Sequence, residues 1–136
     1  MHLEYKIQGG NFSKAGYASA ALKKILKQLN VDPAVIKRTV VALYEAEVNI
    51  VAHAYSGVIY IDIDEKHVKI LLDDQGPGIP SIEQAMQKGY STASPLVREM
   101  GFGAGMGLPN MKKNADELHI DSTVGVGTKV EMINYL

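Results

Sequence analysis

Two glycine-rich segments bracket residues 72–110, and their composition is that of a site that holds an anionic ligand. The first is Asp74-x-Gly76-x-Gly78 followed by Ile79, and the second runs from Gly101 to Gly107. Seven of the 13 glycines of the chain fall in this interval. Alternating glycines that lead directly into a helix can cradle a phosphate with backbone amides and the helix dipole, because no Cβ obstructs the approach. The pattern predicts a nucleotide site whose mobile cover spans about residues 80–107.

The second segment matches neither of the two common phosphate-binding turns. No Gly-Lys-Ser/Thr follows it, so no lysine is placed against the β- and γ-phosphates as in a P-loop. A dinucleotide-binding turn requires a preceding strand in a βαβ setting, which this stretch lacks. The Asp74 segment, taken alone, is also compatible with a simple tight turn at the end of a strand.

A second set of polar residues lies on one predicted helix. Glu45 and Asn49 are four residues apart and therefore share a helical face, and His53 continues the same stripe. Burying such groups without partners costs roughly 1–3 kcal/mol each, so the stripe needs an explanation. Satisfied hydrogen bonds in the core, a face turned to solvent, and a binding site are all open at this point.

Composition limits the kinds of partner that this chain can have. A length of 136 residues with 46% hydrophobic residues is that of one globular domain, and we assign residues 1–136 to it. The net charge of -1 gives no electrostatic reason to expect nucleic acid or a membrane as the main partner. The absence of cysteine excludes disulfides and thiolate chemistry. Neither a signal peptide nor a membrane span is evident, so we expect a cytoplasmic protein.

The elements that position these residues follow from periodicity. Alternation predicts strands over residues 3–8, 58–64, 67–72, 117–122 and 129–135, the last four forming two hairpins. A first helix, capped by Asn11 or Ser13, is expected to end near Asn30. A second is expected from Asp32-Pro33 to Ala54 or Tyr55, ended by Ser56-Gly57, and a short third one over residues 108–114.

The first predicted helix carries an apolar stripe opposite a basic face. Its apolar residues are Ala18, Ala21, Leu22, Ile25, Leu26 and Leu29. We interpret the opposite lysines, Lys23, Lys24 and Lys27, as a solvated face in preference to a docking surface. The order of elements favours an α+β fold, a two-layer α/β sandwich with helices on one face of a mixed, mostly antiparallel sheet.

In this order, the motifs resemble the GHKL superfamily of ATP-binding proteins, which includes histidine kinases and the bacterial anti-sigma and switch serine kinases. The four matching segments are Glu45-Ala-Glu-Val-Asn49 with His53-Ala54, Asp74-Gln-Gly-Pro-Gly78-Ile79, Gly103-Ala-Gly105-Met-Gly107-Leu108, and Gly125-x-Gly127-Thr128. The resemblance extends over nearly the whole chain. It implies the GHKL type of two-layer sandwich.

The resemblance also implies a role for each matching residue. Glu45 would be the general base, and Asn49 would hold Mg²⁺ through its amide oxygen. Asp74 would accept a hydrogen bond from the adenine amino group, and Thr128 would support Asp74 near the adenine. The remaining residues that it places around ATP or ADP are His53, Gly76, Gly78, Ile79, Gly101, Gly103, Ala104, Gly105, Met106, Gly107 and Leu108. Glu47 points to another side of its helix, and we expect a structural or exposed residue.

A free-standing domain of this length resembles the kinases that phosphorylate a serine or threonine of a small anti-sigma-antagonist-type protein. We therefore expect a switch kinase or anti-sigma factor of a partner-switching system. Two alternatives remain: a non-catalytic, nucleotide-gated anti-sigma protein and a detached histidine-kinase-like ATPase domain. Family analogy allows a sigma factor as a second partner, and a homodimer through the first strand or helix.

Two departures from the family pattern concern the segment between the glycine motifs. Residues 100–107 are richer in glycine than the matching segment of sigma-binding members, and this favours the switch-kinase branch. Arg98 stands several residues earlier than the basic residue that anti-sigma factors place before these glycines, so the resemblance assigns it no contact with phosphate. Ser91, Thr92 and Ser94 fit either a contact with the γ-phosphate or partner, or an ordinary polar loop.

Overall fold

The computed structural model describes residues 1–87 and 107–136. The elements of these two ranges are β1 His2–Gln8, a 3₁₀ turn Phe12–Lys14, α1 Tyr17–Gln28, α2 Pro33–His53, β2 Ser56–Ile63, β3 His67–Gln75, α3 Ile82–Ala85, α4 Gly107–Asn114, β4 Glu117–Thr123 and β5 Gly127–Tyr135. None of the helices in these ranges is long and apolar enough to cross a bilayer.

The five strands form one sheet in the order β1-β2-β3-β5-β4. Both predicted hairpins are present, and the β3–β5 pairing joins them, with Leu72 opposite Val130. Every pairing among these strands is antiparallel, whereas we predicted a mixed, mostly antiparallel sheet. The predicted α+β class is confirmed.

The core lies between this sheet and the helices. Alternate residues of the central strands are buried, among them Ile59, Ile61, Ile70 and Leu72. Helix α2 packs against α1 on one side and α4 on the other, and it also contacts four of the strands. Because α2 is surrounded in this way, its buried polar residues must find hydrogen-bond partners on neighbouring elements.

Helix α2 begins as predicted. The Asp32 carboxylate accepts a hydrogen bond of 2.8 Å from the Ala34 backbone N–H, and Pro33 occupies the first helical position. The end differs slightly from the prediction, because the chain becomes extended at Ala54 and Ser56-Gly57 already belongs to β2.

Helix α1 begins later than predicted. Asn11 makes no capping bond with its side chain, and the residues that follow it form only the short 3₁₀ turn. Ala15 is extended and Gly16 has a φ of 91°, a left-handed conformation that interrupts helical winding. Leu29, expected on the apolar stripe, lies beyond the helix and is 46% exposed.

The start of α1 is held by a carboxylate from α2. Glu47 is only 1% exposed, and its two oxygens accept hydrogen bonds from the backbone N–H groups of Ala18, at 2.9 Å, and Ser19, at 3.2 Å. These N–H groups belong to the first turn of α1, where backbone N–H groups have no acceptor within their own helix. Of the two expectations for Glu47, structural or exposed, the structural one is confirmed.

Replacing Glu47 by alanine is expected to lower the free energy of unfolding by about 3 kcal/mol, because two buried backbone N–H groups lose a charged acceptor. Urea unfolding followed by circular dichroism measures this change. Glu65→Ala, at an exposed turn, serves as the control and should change the same quantity by less than about 0.5 kcal/mol. An equal, small effect of both substitutions would contradict the capping role.

Candidate functional site

Helix α2 turns Glu45 and Asn49 toward α4. The Asn110 side-chain amide on α4 donates a hydrogen bond of 3.1 Å to Glu45 Oε1. One helical turn further along α2, Asn49 lies directly against the first residue of α4, since a Cβ at Gly107 would be 2.9 Å from Asn49 Oδ1. Glu45 and Asn49 of the predicted polar stripe therefore face the helix that follows the second glycine segment.

His53 is the last residue of α2 and is half-buried. Burial lowers the pKa of its imidazole below the ordinary value of 6.5. The side chain is consequently neutral at neutral pH and brings no positive charge to this end of the helix.

Asp74 lies near the end of β3 beside the first residues of β5. Its Oδ1 accepts a hydrogen bond of 3.0 Å from the Thr128 backbone N–H. Burial raises the pKa of the Asp74 carboxyl above 3.8, the neighbouring Asp73 adds to the increase, and the Thr128 hydrogen bond opposes it. The fold thus keeps a carboxylate where its charge is unfavourable, a property that is frequent at binding sites.

The Ser122 side chain of β4 is hydrogen-bonded to three residues near Asp74. Its hydroxyl accepts from the Ile79 N–H at 2.8 Å and lies 2.8 Å from the Thr128 hydroxyl and 3.3 Å from the Gly127 carbonyl oxygen. A carbonyl can only accept, and a serine hydroxyl has one proton. Ser122 therefore donates to Gly127 and accepts from Thr128, which leaves the lone pairs of Thr128 Oγ1 as acceptors.

The Asp74-x-Gly76-x-Gly78 segment is wedged between two parts of the fold. A Cβ at Gly76 would lie 3.0 Å from the Ala54 Cα at the end of α2. Gly78 has a φ of +77° and a Cβ there would lie 2.5 Å from the Thr123 carbonyl oxygen. Only glycine satisfies both the left-handed backbone and the close approach at this position.

The remaining predicted residues are distributed as follows. Leu108 is buried in the core at 6% exposure, and Ile79 packs against the core from its edge. The predicted positions that lie outside the described residues are Ser91, Thr92, Ser94, Arg98, Gly101, Gly103, Ala104, Gly105 and Met106.

Within residues 1–87 and 107–136, no group of three or more His, Asp or Glu side chains is arranged to hold a metal ion. Asn49 offers a single amide oxygen beside a position without a Cβ. A hard cation that keeps most of its water and is held largely by phosphate oxygens fits such a donor set.

The sequence did not predict the hydrogen-bond partners of three residues, Glu47, Asn110 and Ser122. Asn110 follows the second glycine segment by three positions, and Ser122 occupies an inward position of a predicted strand, but neither position specifies its partner. Their contacts depend on how α4 and β4 pack against the rest of the fold.

Comparison with known proteins agrees with this architecture. Residues 13–134 match the family model described as a histidine kinase-like ATPase domain. The serine/threonine-protein kinase RsbT of Bacillus subtilis is 35% identical over 118 residues, covering 84% of this chain and 83% of RsbT. The anti-sigma F factor of Anoxybacillus flavithermus is 35% identical over 144 residues, covering 100% of this chain and 92% of that protein.

A solved structure with the RsbU and RsbW domains of a Mycobacterium tuberculosis protein has the same fold. Its TM-score is 0.62 at 17% identity, and the match covers 97% of this chain and 32% of the longer one. Fold and sequence similarity together define an α+β nucleotide-binding domain. The chain belongs to the histidine kinase-like ATPase domain family, of the GHKL type. The predicted family is confirmed by these matches. The predicted class of activity, a protein serine/threonine kinase, is the one that the name of the relative RsbT gives.

The raised pKa of Asp74 generates a prediction about stability. A carboxyl whose pKa is higher in the folded than in the unfolded state favours folding below the unfolded value, and this contribution is lost as the pH rises through the folded pKa. Asp74→Asn removes the buried charge, while the amide oxygen still accepts from the Thr128 N–H. In the absence of nucleotide, the variant is expected to be more stable than the wild type at pH 7.

The stability difference between Asp74→Asn and the wild type should shrink as the pH falls through the raised pKa of the wild-type carboxyl in the folded state. Urea unfolding at a series of pH values measures the difference. Asp121→Asn, at an exposed position of β4, is the matched control and should show no such gain. A loss of stability in Asp74→Asn at pH 7 would disprove this account of the carboxyl.

Proposed function

We propose that this chain transfers the γ-phosphoryl group of ATP to a serine or threonine hydroxyl of a small anti-sigma-antagonist-type protein. The observation that carries the proposal is the placement of Glu45 and Asn49 on one face of α2 against α4, the helix that directly follows the glycine segment. The relatives named as a serine/threonine-protein kinase and as anti-sigma F factors support the same reaction.

Adenine is recognised, in this proposal, by two acceptors. Asp74 has a second carboxylate oxygen beside the one that Thr128 binds, and the Ser122 network leaves Thr128 Oγ1 as an acceptor. The adenine amino group donates hydrogen bonds, whereas the corresponding oxo group of guanine only accepts them. The pocket therefore favours ATP over GTP. Gly76 and Gly78 keep the segment after Asp74 close to Ala54 and Thr123.

The proposed metal is Mg²⁺, held by the Asn49 amide oxygen together with the phosphates of the nucleotide. Mg²⁺ suits this site because it accepts few protein ligands and retains water. When bound, it neutralises charge that develops on the transferred phosphoryl group.

Glu45 is the proposed general base. Its Oε1 accepts a hydrogen bond from Asn110, and its Oε2 has no hydrogen-bond partner within residues 1–87 and 107–136, so Oε2 can receive the proton of the attacking hydroxyl. The hydroxyl oxygen forms a bond to the γ-phosphorus, the bond from that phosphorus to the bridging oxygen breaks, and ADP leaves. Asn110 fixes the orientation of the carboxylate without touching the substrate.

The proposal includes the biological setting of the reaction. The name of the anti-sigma F factor relatives supports a sigma factor as a second partner. We further propose a role in partner switching and a homodimer as the functional unit. The reaction is placed in the cytoplasm, where ATP is supplied.

Asp74→Asn tests the nucleotide pocket, because the amide replaces one acceptor with a donor that faces the adenine amino group. We expect it to weaken ATP binding at least about a hundredfold, measured by isothermal titration calorimetry with Mg²⁺ present. The stability measurement described above shows independently that the variant is folded. Micromolar affinity in Asp74→Asn would rule out this pocket.

Glu45→Gln tests the chemical step. The substitution preserves an acceptor for Asn110 but removes the base, so the rate of phosphorylation should fall by about a hundredfold or more. Affinity for Mg·ATP, measured by calorimetry, should remain within about threefold because Glu45 acts mainly in the transition state. The assay combines the chain, [γ-³²P]ATP, Mg²⁺ and an antagonist-type protein of the same organism, with Glu83→Gln at an exposed position as the control.

The outcome distinguishes three functions. Phosphate that survives acid treatment indicates phosphoserine or phosphothreonine, whereas acid-labile phosphate would indicate the histidine-kinase-like alternative. Tight partner binding without any phosphate transfer by the wild type would indicate the non-catalytic anti-sigma protein. Transfer by Glu45→Gln at the wild-type rate would refute the base assignment alone.

A further inference from the structure

A groove between α1 and the first half of α2 lies outside the site described above. Its volume is about 750 Å³. Apolar side chains such as Val31, Ile36 and Val40 line it, and three lysines, Lys23, Lys27 and Lys37, stand around them. We propose that this groove docks an acidic amphipathic helix of a partner protein.

The charge around the groove is strongly one-sided. Between residues 15 and 44 the chain contains five basic residues and a single acid, Asp32, although the net charge of the whole chain is -1. The Asp32 carboxylate is engaged by the Ala34 N–H, and Arg38 is paired with Asp116. No salt bridge within residues 1–87 and 107–136 involves the three groove lysines.

The positions of the lysines on the two sides of the groove, α1 and α2, suit a bound helix. Lys23 and Lys27 are one helical turn apart on α1, about 6 Å along the axis, and Lys37 faces them from α2. Glutamates on both sides of an apolar helical stripe can pair with the lysines of α1 and α2. The stripe itself then fills the groove, in the helix-in-groove mode of recognition. The lysines supply specificity and association rate more than affinity.

Two other occupants fit the groove less well. Ile36 is only 6% exposed, and Val31 and Val40 are half-buried, so a flat anionic membrane would contact little of this apolar surface. A second copy of the chain offers no suitable ligand among the described helices, because Glu47 and Glu45 are hydrogen-bonded within the fold and α3 carries only Glu83.

Docking in the groove is compatible with an occupied nucleotide site. Ile36 and Asn49 are 13 residues apart on α2, which corresponds to roughly 20 Å along the helix. The groove is therefore a surface on which a partner can be held while the other half of the same helix carries the proposed catalytic groups.

A synthetic probe tests this proposal with the full chain. The probe is a fluorescein-labelled peptide of about 18 residues with a leucine stripe flanked by glutamates, and a peptide of the same composition in shuffled order is its control. Fluorescence anisotropy is expected to show saturable binding of the amphipathic peptide only. The triple variant Lys23→Glu/Lys27→Glu/Lys37→Glu should weaken this binding at least about tenfold.

A second triple variant separates the groove from net charge. Lys6→Glu/Lys66→Glu/Lys129→Glu changes three exposed lysines outside residues 15–44 and should alter peptide affinity by less than about threefold. Calorimetry with Mg·ATP reports whether each variant is folded, because neither set lies in the nucleotide site.

Three results would overturn the proposal. They are no saturable binding of the amphipathic peptide up to about 1 mM, equal binding of the shuffled peptide, or equal losses in the two triple variants. Vesicles of phosphatidylserine and phosphatidylcholine are tested in parallel. Vesicle binding that requires the three groove lysines, without peptide binding, would assign the surface to a membrane instead.

Discussion

The fold depends on one buried carboxylate that joins two helices. Glu47 leaves α2 toward α1 and accepts two backbone N–H groups of its first turn. Glu45 and Asn49, two residues before and after it, lie about 200° away around the helix and face α4 instead. A single helical segment therefore fixes the position of α1 with one acid and presents another acid to the candidate site. Its neighbours determine which acid is structural.

The hairpins and the length of α2 were predictable because both are local. Alternating apolar residues specify β2, β3, β4 and β5, and an aspartate before a proline specifies the start of α2. The pairing of β3 with β5 is not local, since the strands are separated by residues 76–126. That pairing brings Asp74 to the Thr128 N–H, so the order of the sheet, which no local pattern encodes, builds the Asp74 end of the site.

The sequence indicated the candidate site through glycine spacing and a polar stripe, and their agreement with a known family supplied the roles. It could not identify Asn110 or Ser122, because a half-buried polar side chain acquires its partner only when elements pack. It also placed Lys23 and Lys27 correctly in solvent. Whether exposed lysines border a groove depends on the packing of α1 against α2, which periodicity does not determine.

Helix α2 contacts both regions of interest, and this arrangement has a physical consequence. This helix of 21 residues is capped by Asp32 and is hydrogen-bonded to α1 through Glu47 and to α4 through Asn110. A partner held at its first half is therefore kept at a defined distance from Glu45. Phosphoryl transfer depends mainly on positioning, so a helix that spaces the proposed docking surface from the proposed general base favours substrates of matching dimensions.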